Sequence, residues 1–249
     1  MIRRFTWDIV YHESLDSTNS LMYDQVSGDP SIKEGFVIQT GYQTSGRGQI
    51  GNTWESKPDK NLICSILLRP EIEVDHQFMI SKIACLALVE LLNDLDIDDL
   101  RIKWPNDIYV GDKKIAGILI QNMLQGKKIK SCIIGIGLNV NQEDFESDAP
   151  NPTSVKLLLK EEHSLEQILL SLLDKLAGMC GKLQLKKNIE IDHLYKFLLY
   201  RRNQQSEFLD INGIPFMGMI KDVSTSGHLQ IVTDQGLKQF AFREIKYVL

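Results

Sequence analysis

The chain has 249 residues, 43% of them hydrophobic and 24% charged, with a formal net charge of −5. That is enough apolar material for a full core, divided as one large domain and one small one. The negative balance argues against broad, non-specific binding of nucleic acid, although a local basic patch is compatible with it. Met1 to Asp8 contains no apolar signal core and nowhere do 18 apolar residues run together, so the expectation is a cytoplasmic chain without a membrane partner. Cys64, Cys85, Cys132 and Cys180 lie far apart in apolar runs, which fits reduced, buried thiols and no disulfide framework or C-x-x-C site. His12, His76, His163, His193 and His228 show no ligand spacing, which argues against a resident metal such as zinc.

In chain order, Asp8 to His12 reads as extended, and Asp16-Ser17-Thr18-Asn19 offers capping side chains to a helix running to about Val26. Gly35 to Thr40 and Leu62 to Leu68 read as strands. Between Asp75 and Leu95, Ile80, Ile83, Ala84, Ala87, Leu88 and Leu91 keep the i, i+3, i+4 spacing of a helix packed on a sheet. Leu100–Trp104, Asp107–Val110, Ile115–Met123 and Ile129–Val140 follow as strands, with Gly111-Asp112 and Gln125-Gly126 as turns. An acidic, proline-bearing loop runs from Asn141 through Pro152, and helices resume over Ser164–Leu185 and about Glu190–Tyr200. From Gln205 onward, short β segments separated by Asn212-Gly213, Ser226-Gly227 and Gln235-Gly236 have the spacing of a small barrel. The fold class is therefore α+β: a mixed sheet flanked by helices over 1–202, then a small β domain over 203–249.

Four segments carry chemistry. Gly46-Arg47-Gly48-Gln49-Ile50-Gly51 is a literal G-x-G-x-x-G, but Asn52 to Asp59 has no helical period and contains Pro58, so no dinucleotide-binding helix opens there. A mobile loop that closes over an anionic ligand is the better reading, with glycines allowing close approach and Arg47 supplying charge. Residues 44–54 would then order only around ligand. Lys103-Trp104-Pro105-Asn106-Asp107 leaves a strand at a proline and presents Asn106 and Asp107 at its end. Lys113-Lys114-Ile115-Ala116-Gly117 sets a cation beside two small residues, where a carboxylate could lie near Lys114. Gly135-Ile136-Gly137-Leu138-Asn139 brings a strand up to a ligand at two positions without side chains, then offers the Asn139 amide. Some residues have a plainer reading beside the functional one: Trp54 as a core aromatic, Asn106-Asp107 as a turn pair, Lys114 as a solvated lysine, and Thr18 as part of a helix cap.

Taken in order with Asp16–Asn19, Tyr42–Gly48 and Trp54, these motifs resemble the biotin protein ligases, also called biotin–acetyl-CoA-carboxylase ligases, over nearly the whole chain. The resemblance implies the biotin–lipoate ligase fold, related to class II synthetases, with a C-terminal SH3-like β-barrel. It also implies activation of biotin by ATP, with Mg²⁺, to biotinyl-5′-AMP, and transfer to a lysine of a biotin carboxyl carrier protein or domain. Lys114 and Arg47 would be catalytic. Ser17, Thr18, Asn19, Gln43, Gly46, Arg47, Lys114, Gly117, Gly135 and Gly137 would surround biotin. Arg47, Gly48, Gln49, Trp54, Asn106, Lys114 and Asn139 would hold ATP and the adenylate, and Asp107 would serve Mg²⁺. Many family members carry a second arginine where this loop has Gln49, followed by Ile50, which implies weaker retention of the adenylate. About fifteen residues precede Asp16, too few for a DNA-reading winged helix, so catalysis without DNA binding is expected. The resemblance admits a homodimer. A lipoate or octanoate ligase on the same scaffold and a non-catalytic biotin sensor are the alternatives.

Overall fold

The computed structural model describes residues 5–49, 51, 53–146 and 151–248. Its first unit is β1 (Asp8–Leu15), α1 (Thr18–Gly28) and β2 (Phe36–Gln43), with β1 and β2 parallel, as a strand–helix–strand crossover requires. β3 (Asn61–Leu68) follows, then α2 (Phe78–Asp94) after a single 3₁₀ turn at Val74–His76, then β4 (Leu100–Lys103), β5 (Asp107–Val110), β6 (Lys113–Gln125) and β7 (Lys128–Asn139). These strands make one seven-stranded sheet in the order β1-β2-β3-β7-β6-β5-β4, antiparallel from β2 onward. The turns before β6 and β7 place Gly111 at φ +55° and Gly126 at φ +59°, the left-handed region that their glycines allow.

Alternation along the strands divides the sheet into two faces. Leu62, Cys64, Ile66 and Leu68 of β3 and Cys132, Ile134, Ile136 and Leu138 of β7 enter the main core with α2 and with α4 (Leu165–Gln184). On the other face, Ile38, Leu67 and Ile133 meet Met22 and Val26 of α1 in a smaller cluster. The four cysteines are free and buried, and burial pushes the Cys64 and Cys180 thiols up to about 12.

β1, β2 and α3 depart from the sequence reading, β1 running three residues past His12 to Leu15. β2 continues three residues beyond Thr40, because Ser14 and Leu15 of β1 pair with Tyr42 and Gln43, so Gln43 stands on a strand. α3 (Val155–Leu159), capped by the Ser154 hydroxyl accepting from Leu157 N at 3.2 Å, was not anticipated; five residues are too few to show a helical period.

α5 (Asn188–Phe197) leads into a second sheet of β8 (Gln205–Asp210), β9 (Pro215–Val223), β10 (Leu229–Thr233), β11 (Gly236–Phe240) and β12 (Ile245–Tyr247), ordered β11-β10-β9-β8-β12. Among the described residues no ladder joins β11 to β12, so the strands form an open sheet and not a closed barrel. Trp104, at the end of β4, docks this sheet: its indole N–H donates to Gly227 O at 2.9 Å and its ring stacks on Phe242 at 5.2 Å. No helix among the described residues is long and apolar enough to cross a membrane.

Candidate active site

Over the α1 end of the sheet, aliphatic side chains give way to polar and absent ones. Ser65 lies in the apolar run Leu62–Leu68 on the face opposite the main core, and its buried hydroxyl organises the start of α1. It donates to Asn19 Oδ1 at 2.5 Å and lies 2.8 Å from Thr18 Oγ1. Ser17 is the N-cap of α1, accepting from Ser20 N, which leaves Thr18 and Asn19 turned to the sheet. Thr18 N, a first-turn donor without an intrahelical partner, donates to Gln43 Oε1 at 2.8 Å. Asn19 Nδ2 donates to Leu119 O at 3.2 Å. The cluster is thus both a helix cap and one wall of a cavity.

Gly117, Gly135 and Gly137 form the floor of that cavity. A Cβ on Gly135 would overlap the Asn19 amide, and one on Gly137 would overlap the Trp54 indole. Lys114 and Asp107 close one end. Their ion pair measures 2.8 Å, with side chains 21% and 27% exposed, so the ammonium is held and still reachable by solvent. Lys114 reaches this face through a β-bulge. Ile108 pairs with Ala116 while Tyr109 pairs with Lys114, so Ile115 is extra; Ile115 and Ala116 both enter the core and the alternation reverses at Lys114.

The loop before β3 covers the other end. No helix follows it among the described residues. Arg47 bridges Thr53, and Trp54 N donates to Gly46 O at 3.0 Å. Its Trp54 ring lies over Gly117 and Gly137 with Lys114 Nζ 5.7 Å from the ring centre, and the buried indole N–H has no hydrogen-bond acceptor among the described residues. Ile50, one of the two residues expected to alter the loop, lies outside the described residues.

The cavity, about 100 Å³, gathers Ser17, Thr18, Asn19, Gln43, Arg47, Gly48, Gln49, Trp54, Asp107, Lys114, Gly117, Gly135 and Gly137. Three expected residues do not line it. Gly46 sits just behind, against the Trp54 carbonyl and Gln43 Nε2. Asn106 is 7% exposed, donates to Ile118 O, accepts from Gln49 Nε2 at 2.8 Å, and borders a neighbouring cleft instead. Asn139 donates to Thr153 O at 3.0 Å and is buried behind the floor. Ser65 and the apolar wall residue Ile63 were not named from the sequence. A lone serine at an alternating position inside a buried strand was the available signal for Ser65.

Asp107 was expected to serve Mg²⁺, and the structure gives its carboxylate to Lys114. Among the described residues no three His, Cys, Asp or Glu side chains converge as a metal site. Beside the cavity, Lys103 lies between the rings of Tyr109 and Tyr247, 5.0 and 5.1 Å from their centres, with Tyr109 Oη at 3.1 Å. Desolvation lowers its pKa to about 8, opposed by the negative charge of Asp107.

A model of the biotin/lipoate A/B protein ligase family matches residues 11–139, which contain every element from β2 to β7 and most of β1. The chain belongs to this family. The bifunctional ligase/repressor BirA of Bacillus subtilis (strain 168) is 33% identical over 142 residues, covering 56% of this chain and 43% of its own length. The biotin–[acetyl-CoA-carboxylase] ligase of Paracoccus denitrificans is 31% identical over 147 residues, covering 57% and 60% respectively. The chain spans about half the length of the curated relatives it matches. Among solved structures, the biotin protein ligase from Aquifex aeolicus in complex with biotin and ATP superposes with a TM-score of 0.80 at 23% identity, over 97% of this chain and 99% of that one. At that identity the likeness is one of fold, and it includes the C-terminal sheet.

Proposed function

We propose that the chain is an ATP-dependent biotin–protein ligase: it activates biotin as biotinyl-5′-AMP and transfers the biotinyl group to a lysine of a biotin carboxyl carrier domain. The observation that carries this reading is the glycine-floored cavity in which Lys114, Arg47 and the Thr18–Gln43 hydrogen-bond system meet, in a chain of the biotin/lipoate family. The Paracoccus denitrificans relative is named for biotin, and the Aquifex aeolicus neighbour holds biotin and ATP, which favours biotin over lipoate. We read the five C-terminal strands as an SH3-like domain beginning after Arg202.

In the first step an oxygen of the biotin carboxylate attacks the α-phosphorus of ATP, the bond from that phosphorus to the bridging oxygen breaks, and pyrophosphate leaves. In the second, a carrier lysine amine attacks the acyl carbon, loses its proton, and AMP departs. Neither step uses a nucleophile of the enzyme. The catalytic task is to align two anions, neutralise their repulsion and keep water from a hydrolysable anhydride. Lys114 holds the carboxylate, then the anhydride oxygen, with Asp107 aiming the ammonium until substrate arrives. Ser17, Thr18, Asn19 and Gln43 face the ureido ring, and Gly46, Gly117, Gly135 and Gly137 allow close approach. Arg47, Gly48, Gln49, Trp54 and Asn106 attend the nucleotide, whose phosphates would carry Mg²⁺, while Asn139 stays engaged by Thr153 O and does not reach it.

The cavity is smaller than the roughly 300–1,000 Å³ usual for ligand sites, because the Trp54 indole lies on its floor. Ligand entry therefore moves that ring, and Trp54 fluorescence should report it. The deciding experiment incubates the protein with ATP, Mg²⁺, biotin and a carboxyl carrier domain and weighs the acceptor. One added biotinyl group is expected, with lipoate failing to compete. No added mass despite biotin binding would make the chain a sensor, and preference for lipoate would make it a lipoate ligase.

A further inference from the structure

Ser65 carries the only hydroxyl in Leu62–Leu68, and it is wholly buried behind the cavity without lining it. Its oxygen lies 2.5 Å from Asn19 Oδ1 and 2.8 Å from Thr18 Oγ1, and Thr18 Oγ1 lies 3.3 Å from Gln43 Oε1. Each hydroxyl has one proton to give, so these three contacts compete for two protons. Asn19 Nδ2 donates to Leu119 O, which orients the amide and leaves Oδ1 as a pure acceptor. The Ser65 proton therefore goes to Asn19, across the shortest of the three contacts. The Thr18 proton then goes to the Ser65 oxygen. Gln43 Oε1 is farther away and already accepts from Thr18 N at 2.8 Å.

The result is a relay running from Thr18 through Ser65 to Asn19, with its direction set at the Asn19 end. Its consequence falls on the cavity, which Thr18 and Gln43 both line. Thr18 Oγ1 has turned its proton away from that space, so it offers a lone pair there. Gln43 does the reverse: its Oε1 is occupied by Thr18, and its Nε2 has no acceptor among the described residues, so it offers a donor. Gly135 belongs to the same device, because a Cβ there would overlap Asn19 Oδ1 and displace the acceptor that ends the relay.

We propose that Ser65 determines the site's specificity for a cyclic urea. By holding the Thr18 hydroxyl as an acceptor beside the Gln43 donor, it makes this end of the cavity read an N–H next to a C=O. An acid such as lipoate, whose ring carries neither group, leaves the buried acceptor and donor unpaired, and that penalty is what rejects it. Ser65 touches no ligand and is a positioning residue that acts through Thr18. The proposal deepens the biotin reading and rests on it for the identity of the urea.

Ser65→Ala removes the relay and frees the Thr18 proton to turn into the cavity. Ser65→Cys keeps an atom in the same place but donates weakly, so it breaks the relay with packing preserved. Titration calorimetry of the full chain compares biotin with its two mono-N-methyl ureas, thermal melts confirming that each variant is folded. The parent should prefer biotin over at least one methylated urea by about a hundredfold or more. In both variants biotin should bind at least about tenfold more weakly while that methylated urea changes by less than about twofold, so the preference falls about tenfold. Damage to packing alone would weaken both ligands together, so an undiminished preference in either folded variant would overturn the proposal. So would a parent that does not prefer biotin to its methylated ureas. A preference that depends on Ser65, in a protein that transfers no biotinyl group to a carrier domain, would sustain the relay and sink the ligase reading instead.

Discussion

The two faces of β3 and β7 share one backbone and do opposite work. Towards α2, Ile134, Ile136 and Leu138 fill space completely; on the reverse, Gly135 and Gly137 leave it open to the cavity. Stability comes from the first face because each aliphatic group is removed from water and closely packed. On the second, side chains are withheld, so that Asn19 and Trp54 reach the backbone, and this is the face where we propose the ligand binds. The contrast teaches that within a strand buried on both sides, the binding surface is marked by the small or polar residues at alternate positions, and not by hydrophobicity.

The largest effect expected from breaking this division is on catalysis. Lys114→Ala should reduce adenylate formation by about a thousandfold, the scale of losing a preorganised charge at a reacting anion. The fold should survive, since the backbone bonds of Lys114 to Asn151 O and from Thr153 N do not involve its side chain. Pyrophosphate exchange measured beside a thermal melt checks both halves. Near-normal exchange by the folded variant would remove Lys114 from its role.

On the packed face, Ile136→Ala should cost about 2–5 kcal/mol of stability by leaving a cavity in the core, read from the urea midpoint. Gly137→Ala, one residue along, should do the reverse: little change in midpoint, because the Trp54 ring can shift, and biotin binding weaker by about tenfold, or 1.4 kcal/mol. If both variants lost stability and neither lost binding, the functional distinction between the faces would be wrong.

A smaller effect is expected at the loop. Gln49→Arg should slow release of biotinyl-AMP by restoring a charge-assisted contact, worth about 1.5–3 kcal/mol at most. Equal release rates would show that Gln49 does not limit retention.

The smallest effect concerns Lys103, between the two sheets. Its pKa is about 8 in the folded chain against an ordinary 10.5, so between those values the unfolded chain binds more protons and stability rises with pH. Below about 8 the protonated amine is present in both states and the folded form carries the full desolvation cost. Lys103→Met should flatten the rise between pH 8 and 10 in denaturant titrations. An unchanged slope would place the proton elsewhere.

Much of this was legible in the sequence because it depends on local rules. Hydrophobic period located α2 and α4, Gly111 and Gly126 marked their turns, and the glycine pair in β7 announced an open surface before any fold was known. The family resemblance also implied that Lys114, Arg47, Thr18 and Gln43 belong to one site. Ser65 was hidden because a single polar residue in an apolar strand has no pattern of its own.

What the sequence by itself determined is which segments are helix or strand and which positions lack side chains, since periodicity and backbone freedom are properties of neighbouring residues. Which way Lys114 points was decided only by tertiary structure. Unbroken alternation would bury it with Ala116; the extra residue Ile115, visible only once β6 is paired with β5, turns it to Asp107 and the cavity. Register belongs to two strands at once, so no single stretch of sequence contains it.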